Sequence, residues 1–314
     1  MLDTPIAFII FKRWKETSLV FEEIRRMKPS KLFIIADGPR NDEEKKLCEE
    51  TRKIVEKIDW QCEIYRDYSN KNLGCRERVV SGLDWVFESV DRAIILEDDC
   101  LPDQSFFRFS EELLEKYKDN ENIMHIGGTN FQQNNPKFLY SISNDSYYFS
   151  NIAQIWGWAT WKRAWNKYDK SMLSWSRIKN LSEFKSYFPS LHIYQYWKDF
   201  FEKMSQNKFD TWDIAWTYAC FKEKGLCIMP KVNLIENIGS SNQATHKINS
   251  LTHIPRESIQ FPLNHPSIII INSDYDFFTY KKVYGIKNNL FNSIKSYMKE
   301  YLPSFFKYIK FLMK

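Results

Sequence analysis

Through the first hundred positions, fully apolar runs alternate with amphipathic stretches. Residues 5–11 are apolar throughout, the pattern of a strand buried on both faces. Thr17 or Ser18 then opens a helix with Val20, Phe21, Ile24 and Met27 on one side. Residues 32–36 repeat the strand pattern and end in Asp37-Gly38. Asn41, with Glu44 three residues on, has the spacing of a capping pair for a helix to about Lys57. A third strand follows at 62–65. Asn72-Leu73-Gly74 turns into a helix whose inward face is Val79, Val80, Leu83, Val86, Phe87 and Val90, and residues 93–96 form a fourth strand. Strands and helices alternating through short connections predict an α/β unit on a mostly parallel sheet.

The fourth strand runs into Glu97-Asp98-Asp99, with Pro102 barring its continuation and Asp103 or Ser105 placed to cap the next helix. Burying three carboxylates is costly, so they must meet water or a cation. Clustered hard oxygens at a strand end suit Mg²⁺ or Mn²⁺ when phosphates complete the coordination. A solvated acidic turn is the plainer reading, and the three acids alone leave it open. Lys12-Arg13, Asp37 and the acidic run all leave strands at one sheet edge, the edge where open α/β sheets bind ligands. The phosphate-binding patterns GxGxxG and GxxxxGK[ST] are absent, so neither a dinucleotide nor a P-loop mechanism is supported.

In the second half a helix over 103–118 and a strand over 123–126 precede a polar loop or hairpin at 132–146. Trp158, Trp161 and Trp165 lie at helical spacing and read as core. Trp156 or Trp158 could instead line a sugar pocket. Residues 173–208 are helical and aromatic. Asp213 stands beside Trp212 before an apolar helix, where it is either a cap or a general base, with Asp210 the second candidate base. Residues 227–230 and 232–235 look like a strand pair, and 268–271 like an added strand.

The order of strand–Lys12-Arg13, strand–Asp37-Gly38, Asn72-Leu73-Gly74–helix and Ile94-Ile95-Leu96-Glu97-Asp98-Asp99 resembles the GT-A-fold glycosyltransferases. It is similar to the bacterial family-2-like enzymes and, in its Glu-Asp-Asp form, to the N-acetylglucosaminyltransferase I family, over about residues 5–245. The resemblance implies a Rossmann-like, GT-A-type sheet flanked by helices and a nucleotide-diphosphate sugar donor, usually UDP-linked. It further implies Glu97 at the ribose, Asp99 on the metal with Asp98 in support, Arg13 at the diphosphate and Asp37 at the base. Arg76 falls where that family has another base-contacting residue. The Gly157-Trp158 pair matches a pocket position, Asp213 an inverting base, and His246 a contact to the metal or diphosphate.

Composition narrows the rest. Aromatics reach 17%, with 11 Trp and 24 Phe crowding the second half, which suits sugar stacking or a membrane face. The six cysteines lack metal-ligand spacing and read as reduced thiols. No signal-peptide pattern or spanning run is evident, and the net charge of +5 is mild. From Lys281 to Lys314, eight lysines face a single acid, Glu300, on an amphipathic stripe interrupted by Pro303. Docked on the protein, this stretch is a packed helix; on an anionic leaflet it is a basic anchor.

The expectation is a cytoplasmic, metal-dependent glycosyltransferase, peripheral at the inner membrane face, acting on a glycan or lipid-linked glycan. No nucleic-acid partner is expected. Its domain would span 1–250 (nucleotide half 1–130, acceptor half 131–250), followed by an extension at 251–286 and a basic tail at 287–314. A sugar nucleotidyltransferase should carry a glycine-rich basic loop after its first strand, where this chain has Phe11-Lys12-Arg13-Trp14. A non-catalytic carbohydrate-binding protein would leave the acidic run without a role.

Overall fold

A computed structural model describes residues 2–142, 144–239 and 254–286. The first half contains β1 (Ile6–Ile10), α1 (Trp14–Met27), β2 (Lys31–Ala36), α2 (Asp42–Val55), β3 (Glu63–Tyr68), α3 (Cys75–Ser89) and β4 (Arg92–Glu97). Then come β5 (Cys100–Pro102), α4 (Gln104–Lys116), β6 (Ile123–Gly127), α5 (Pro136–Ser141), β7 (Tyr147–Ser150), β8 (Trp158–Trp161) and α6 (Lys162–Trp165). The chain continues through α7 (Trp175–Ile178), α8 (Ser182–Ser186), α9 (Leu191–Ser205), α10 (Asp213–Lys222), β9 (Leu226–Pro230), β10 (Ile235–Asn237) and α11 (Ser273–Lys282).

Eight strands form one sheet in the order β3-β2-β1-β4-β8-β6-β9-β7. β3, β2, β1 and β4 are mutually parallel, and of the other four only β8 and β7 run the opposite way. This is the mostly parallel arrangement that the alternating pattern predicts. The apolar runs are continuous because helices cover both faces. Ile6, Phe8 and Ile10 share a core with Val20, Phe21 and Ile24 of α1 and with Phe106, Phe107 and Phe109 of α4. Phe33 and Ile35 face the other way, toward Trp85 and Gly82 of α3.

The described residues form two compact units, one drawn from residues 2–170 with 210–272 and one from 171–209 with 273–286. In the second, Trp175 meets Phe201 edge-on at 5.4 Å, and Tyr284 lies 5.7 Å from Trp197 and 5.8 Å from Tyr196. Those contacts tie residues 273–286 to the aromatic helices.

Several local expectations are corrected. α1 begins at Trp14, three residues before Thr17, with Arg13 at its cap position. Trp158 and Trp161 lie on β8, not on a helix, because Arg92–Ile95 of β4 offers a strand to pair with. Pro102 ends a short strand of its own: β5 pairs with β10 in a separate two-stranded sheet, so 232–235 is not the partner of 227–230. In the 132–146 stretch, α5 replaces a simple loop. Of residues 268–271, only Ile271 makes a bridge, to Phe149, while Ile268 and Ile270 are 67% and 69% exposed. His246 and the basic tail at 287–314 lie outside the described residues.

Candidate active site

Because β1, β2 and β4 are parallel neighbours, their C-terminal ends bring Arg13, Asp37 and Glu97–Asp99 to one rim. The cation that meets the acids is Arg13. Its Nη1 lies 2.6 Å from Asp99 Oδ2, and its Nε lies 3.2 Å from Asp98 Oδ1. The Phe11 N–H also donates to Asp98 Oδ2, at 3.2 Å. Burial alone would lower the Arg13 pKa, but the charges of Asp98, Asp99 and Glu97 outweigh it and raise it. Burial, then the Asp99 and Asp98 charges, push Glu97 above the carboxylate range, with Asp213 adding to the same field. Burial likewise raises Asp98 against the pull of Arg13.

Three carboxyl groups thus cluster at one guanidinium, which pairs with two of them, Asp98 and Asp99. Hard oxygens are the donors that a divalent ion of the Mg²⁺ or Mn²⁺ class takes when phosphates complete its shell. Among the described residues, no group of three His, Cys, Asp or Glu is arranged to hold a metal.

Asp37, 6% exposed, is a brace between loops. It accepts from the N–H of Gly38 at 2.8 Å, from the N–H of Leu73 at 2.9 Å and from Asn72 Nδ2 at 2.9 Å. Burial raises its pKa, and these bonds and Arg78 pull the other way. Lys12 turns aside to Glu44, at 2.7 Å. The Glu44 backbone N–H donates to Asn41 Oδ1 at 2.9 Å, which is only half of the predicted capping box. Its carboxylate goes to Lys12 and Arg40 instead of returning to Asn41.

Asp210 accepts from the N–H groups of Cys75 and Arg76 at the start of α3. The Arg76 side chain donates to the Lys170 carbonyl, and Lys170 pairs with Glu77. Gly74 has φ +83°, and a Cβ there would lie 2.7 Å from Asp210 Oδ2. Glycine is needed on both counts. Asp213 is not a cap: it is the first residue of α10, its Oδ1 held by the Thr211 hydroxyl.

Behind the rim, Trp158 is 1% exposed and stacks on Trp212 at 5.3 Å and on His125 at 5.2 Å, with Trp216 tilted at 5.4 Å. Of the two tryptophans considered for a pocket, only the half-buried Trp156 offers surface. Its ring meets Phe131 edge-on at 5.4 Å, and its carbonyl accepts from the Thr129 hydroxyl.

Sequence reasoning missed Gly239. A Cβ there would run into Asp99 Oδ2 and Arg13 Nη1, and the preceding N–H, of Ile238, donates to the Asp99 carbonyl at 2.9 Å. The only local signal is the Asn237-Ile238-Gly239 turn, closed by the Gly239 N–H on Asn237 Oδ1 at 3.0 Å.

No family model and no curated protein matches the chain. Among solved structures it is similar to 4-diphosphocytidyl-2C-methyl-D-erythritol synthase from Anaerococcus prevotii, with a TM-score of 0.35 and 12% identity over 72% of this chain and 88% of that one. It is also similar to an active-site mutant of LgtC (0.32, 12%, over 56% and 65%). UDP-glucose pyrophosphorylase complexed with UDP-glucose is a third (0.34, 10%, over 72% and 90%). At these scores, what the site can do rests on its own residues. Among the described residues, no helix is long and apolar enough to cross a membrane.

Proposed function

We propose that the chain is a metal-dependent, inverting glycosyltransferase that moves a sugar from a nucleotide-diphosphate donor, UDP-linked, to a hydroxyl of a glycan or lipid-linked glycan. One observation carries the reading: the parallel β1, β2 and β4 bring Arg13, Asp37 and Glu97–Asp99 to one rim, a cation and clustered carboxyl groups at a single sheet edge. Asp99, supported by Asp98, would hold Mn²⁺ or Mg²⁺, which supplies positive charge to the departing diphosphate. Glu97 takes the ribose. Asp37, with the 72–74 turn that it braces, and Arg76 set the base. Arg13 binds the diphosphate, and Trp156 packs against the sugar.

Asp213 removes the acceptor hydroxyl proton as that oxygen attacks the anomeric carbon. The carbon–oxygen bond to the diphosphate breaks, and its electron pair leaves with the nucleotide. Thr211 orients Asp213 for this by holding one carboxylate oxygen and leaving the other free for the acceptor. His246 would add a contact to the metal or diphosphate, and the basic tail would bring the enzyme to an anionic membrane carrying its acceptor.

A thermal-shift panel of UDP-, GDP-, dTDP- and CMP-sugars, each with and without Mn²⁺, tests the reading, because a ligand that binds the folded state raises the melting temperature. The expected result is a shift with UDP-sugars that needs Mn²⁺. Stabilisation by nucleoside triphosphates with none by any nucleotide sugar would favour a nucleotidyltransferase.

A further inference from the structure

We infer that Arg13 is a built-in counter-ion that keeps a divalent metal off Asp99 until a diphosphate draws it away. This rests on the function proposed above and concerns the order in which that site fills. Arg13 leaves the end of β1 and spans both acids, with Nη1 on Asp99 Oδ2 at 2.6 Å and Nε on Asp98 Oδ1 at 3.2 Å. The other Asp98 oxygen accepts from the Phe11 N–H. Asp99 Oδ2 is therefore committed to a guanidinium, while Oδ1 has the buried Cys100 Sγ at 3.6 Å. Gly239 lies directly against the same pair, and a methyl group there would require the Asp99 and Arg13 side-chain ends to move. A metal reaches Asp99 Oδ2 only by taking Arg13's place.

The metal alone leaves the displaced Arg13 with Asp98 as its one acid partner of the pair and sets two cations side by side. A nucleoside diphosphate changes both terms. Its oxygens accept the guanidinium fork as well as a carboxylate does, and they complete the metal's shell. Arg13 passes from carboxylate to phosphate as the metal passes onto Asp99, so the two ligands enter together.

The test is Mn²⁺ binding, followed by the paramagnetic resonance signal of the free ion, for the wild type and for Arg13→Gln and Arg13→Lys, without nucleotide and with UDP. Without nucleotide, Arg13→Gln should bind Mn²⁺ at least about ten-fold more tightly than the wild type, which binds well only with UDP. Circular dichroism checks the fold of each variant. If Arg13→Gln fails to fold, Arg13→Lys decides: its ammonium cannot span both carboxylates as the fork does, so it should bind Mn²⁺ alone several-fold more tightly than the wild type. Equal affinity of the wild type and the folded variants for Mn²⁺ alone overturns the inference and leaves the proposed function standing. No Mn²⁺ binding by the wild type even with UDP overturns both.

Discussion

Asp210 caps α3 from 134 residues away in sequence, its Oδ1 3.1 Å from the N–H of Arg76. A second bond runs from the Cys75 N–H to Oδ2 at 3.3 Å, so both carboxylate oxygens serve backbone donors that the helix leaves unpaired. The two candidate bases thereby separate. Asp210 serves the helix end, which is why the proposed function gives the base role to Asp213.

Asp210→Ala should cost about 1–2 kcal/mol of stability, the usual worth of a lost cap, whereas Asp210→Asn should cost little because asparagine caps as well as aspartate. Urea unfolding of the three proteins measures this. Asp210→Asn should also keep turnover within a few-fold of the parent.

Asp213→Asn should leave donor affinity intact and lower turnover about 10²–10⁴-fold, the usual cost of losing a general base. Steady-state rates with calorimetric donor affinities separate the two effects. Parent-like turnover in Asp213→Asn, together with a collapse in Asp210→Asn, would reverse the assignment.

His125 sets an acid limit on stability. It is fully buried, and burial depresses its pKa to about 3 even though the bond between Nε2 and the Gln154 carbonyl pulls upward. Its Nδ1 accepts from Trp216 Nε1 at 3.2 Å, so the neutral ring has Nε2–H as its donor. The ordinary histidine value of 6.5 applies to the unfolded chain. The unfolded state therefore binds the proton first: the contribution is complete above 6.5 and lost as pH falls toward 3, by up to about 1.4 kcal/mol per unit. Between pH 6.5 and 4.5, the stability of His125→Asn should fall less steeply than the parent's, as read by chemical denaturation at each pH.

Gly239→Ala should disturb ligands more than fold. The added methyl meets the ends of two side chains, Asp99 and Arg13, which can swing aside. The expected outcome is a melting temperature within a few degrees of the parent and a UDP affinity in Mn²⁺ reduced at least about ten-fold.

Much of the frame was legible in the sequence because its signals are local. The apolar runs of β1, β2 and β4 are buried on both faces, and Asn41 announces α2 with its own side chain. The tryptophan segment misled because a spacing of three fits a helix, and only pairing with β4 makes 158–161 a strand. The chemistry of the rim could be listed from the sequence, but its pairings could not. Arg13 and Asp99 are 86 residues apart, Asp37 and Leu73 are 36 apart, and β10 finds β5 across more than 130 positions. Nothing local distinguishes Asp210 from Asp213, because the helix that Asp210 caps is not the one that follows it.

The central claim is that the strand-end acids hold the metal on which donor binding depends. It is tested most directly by calorimetric titration of UDP, in Mn²⁺ and in a chelator, into the wild type and Asp99→Asn. The expected result is tight, Mn²⁺-dependent binding to the wild type, and at least a ten-fold loss in Asp99→Asn with the Mn²⁺ dependence gone and the melting temperature of the free protein little changed. Equal, Mn²⁺-dependent binding by both proteins would contradict it.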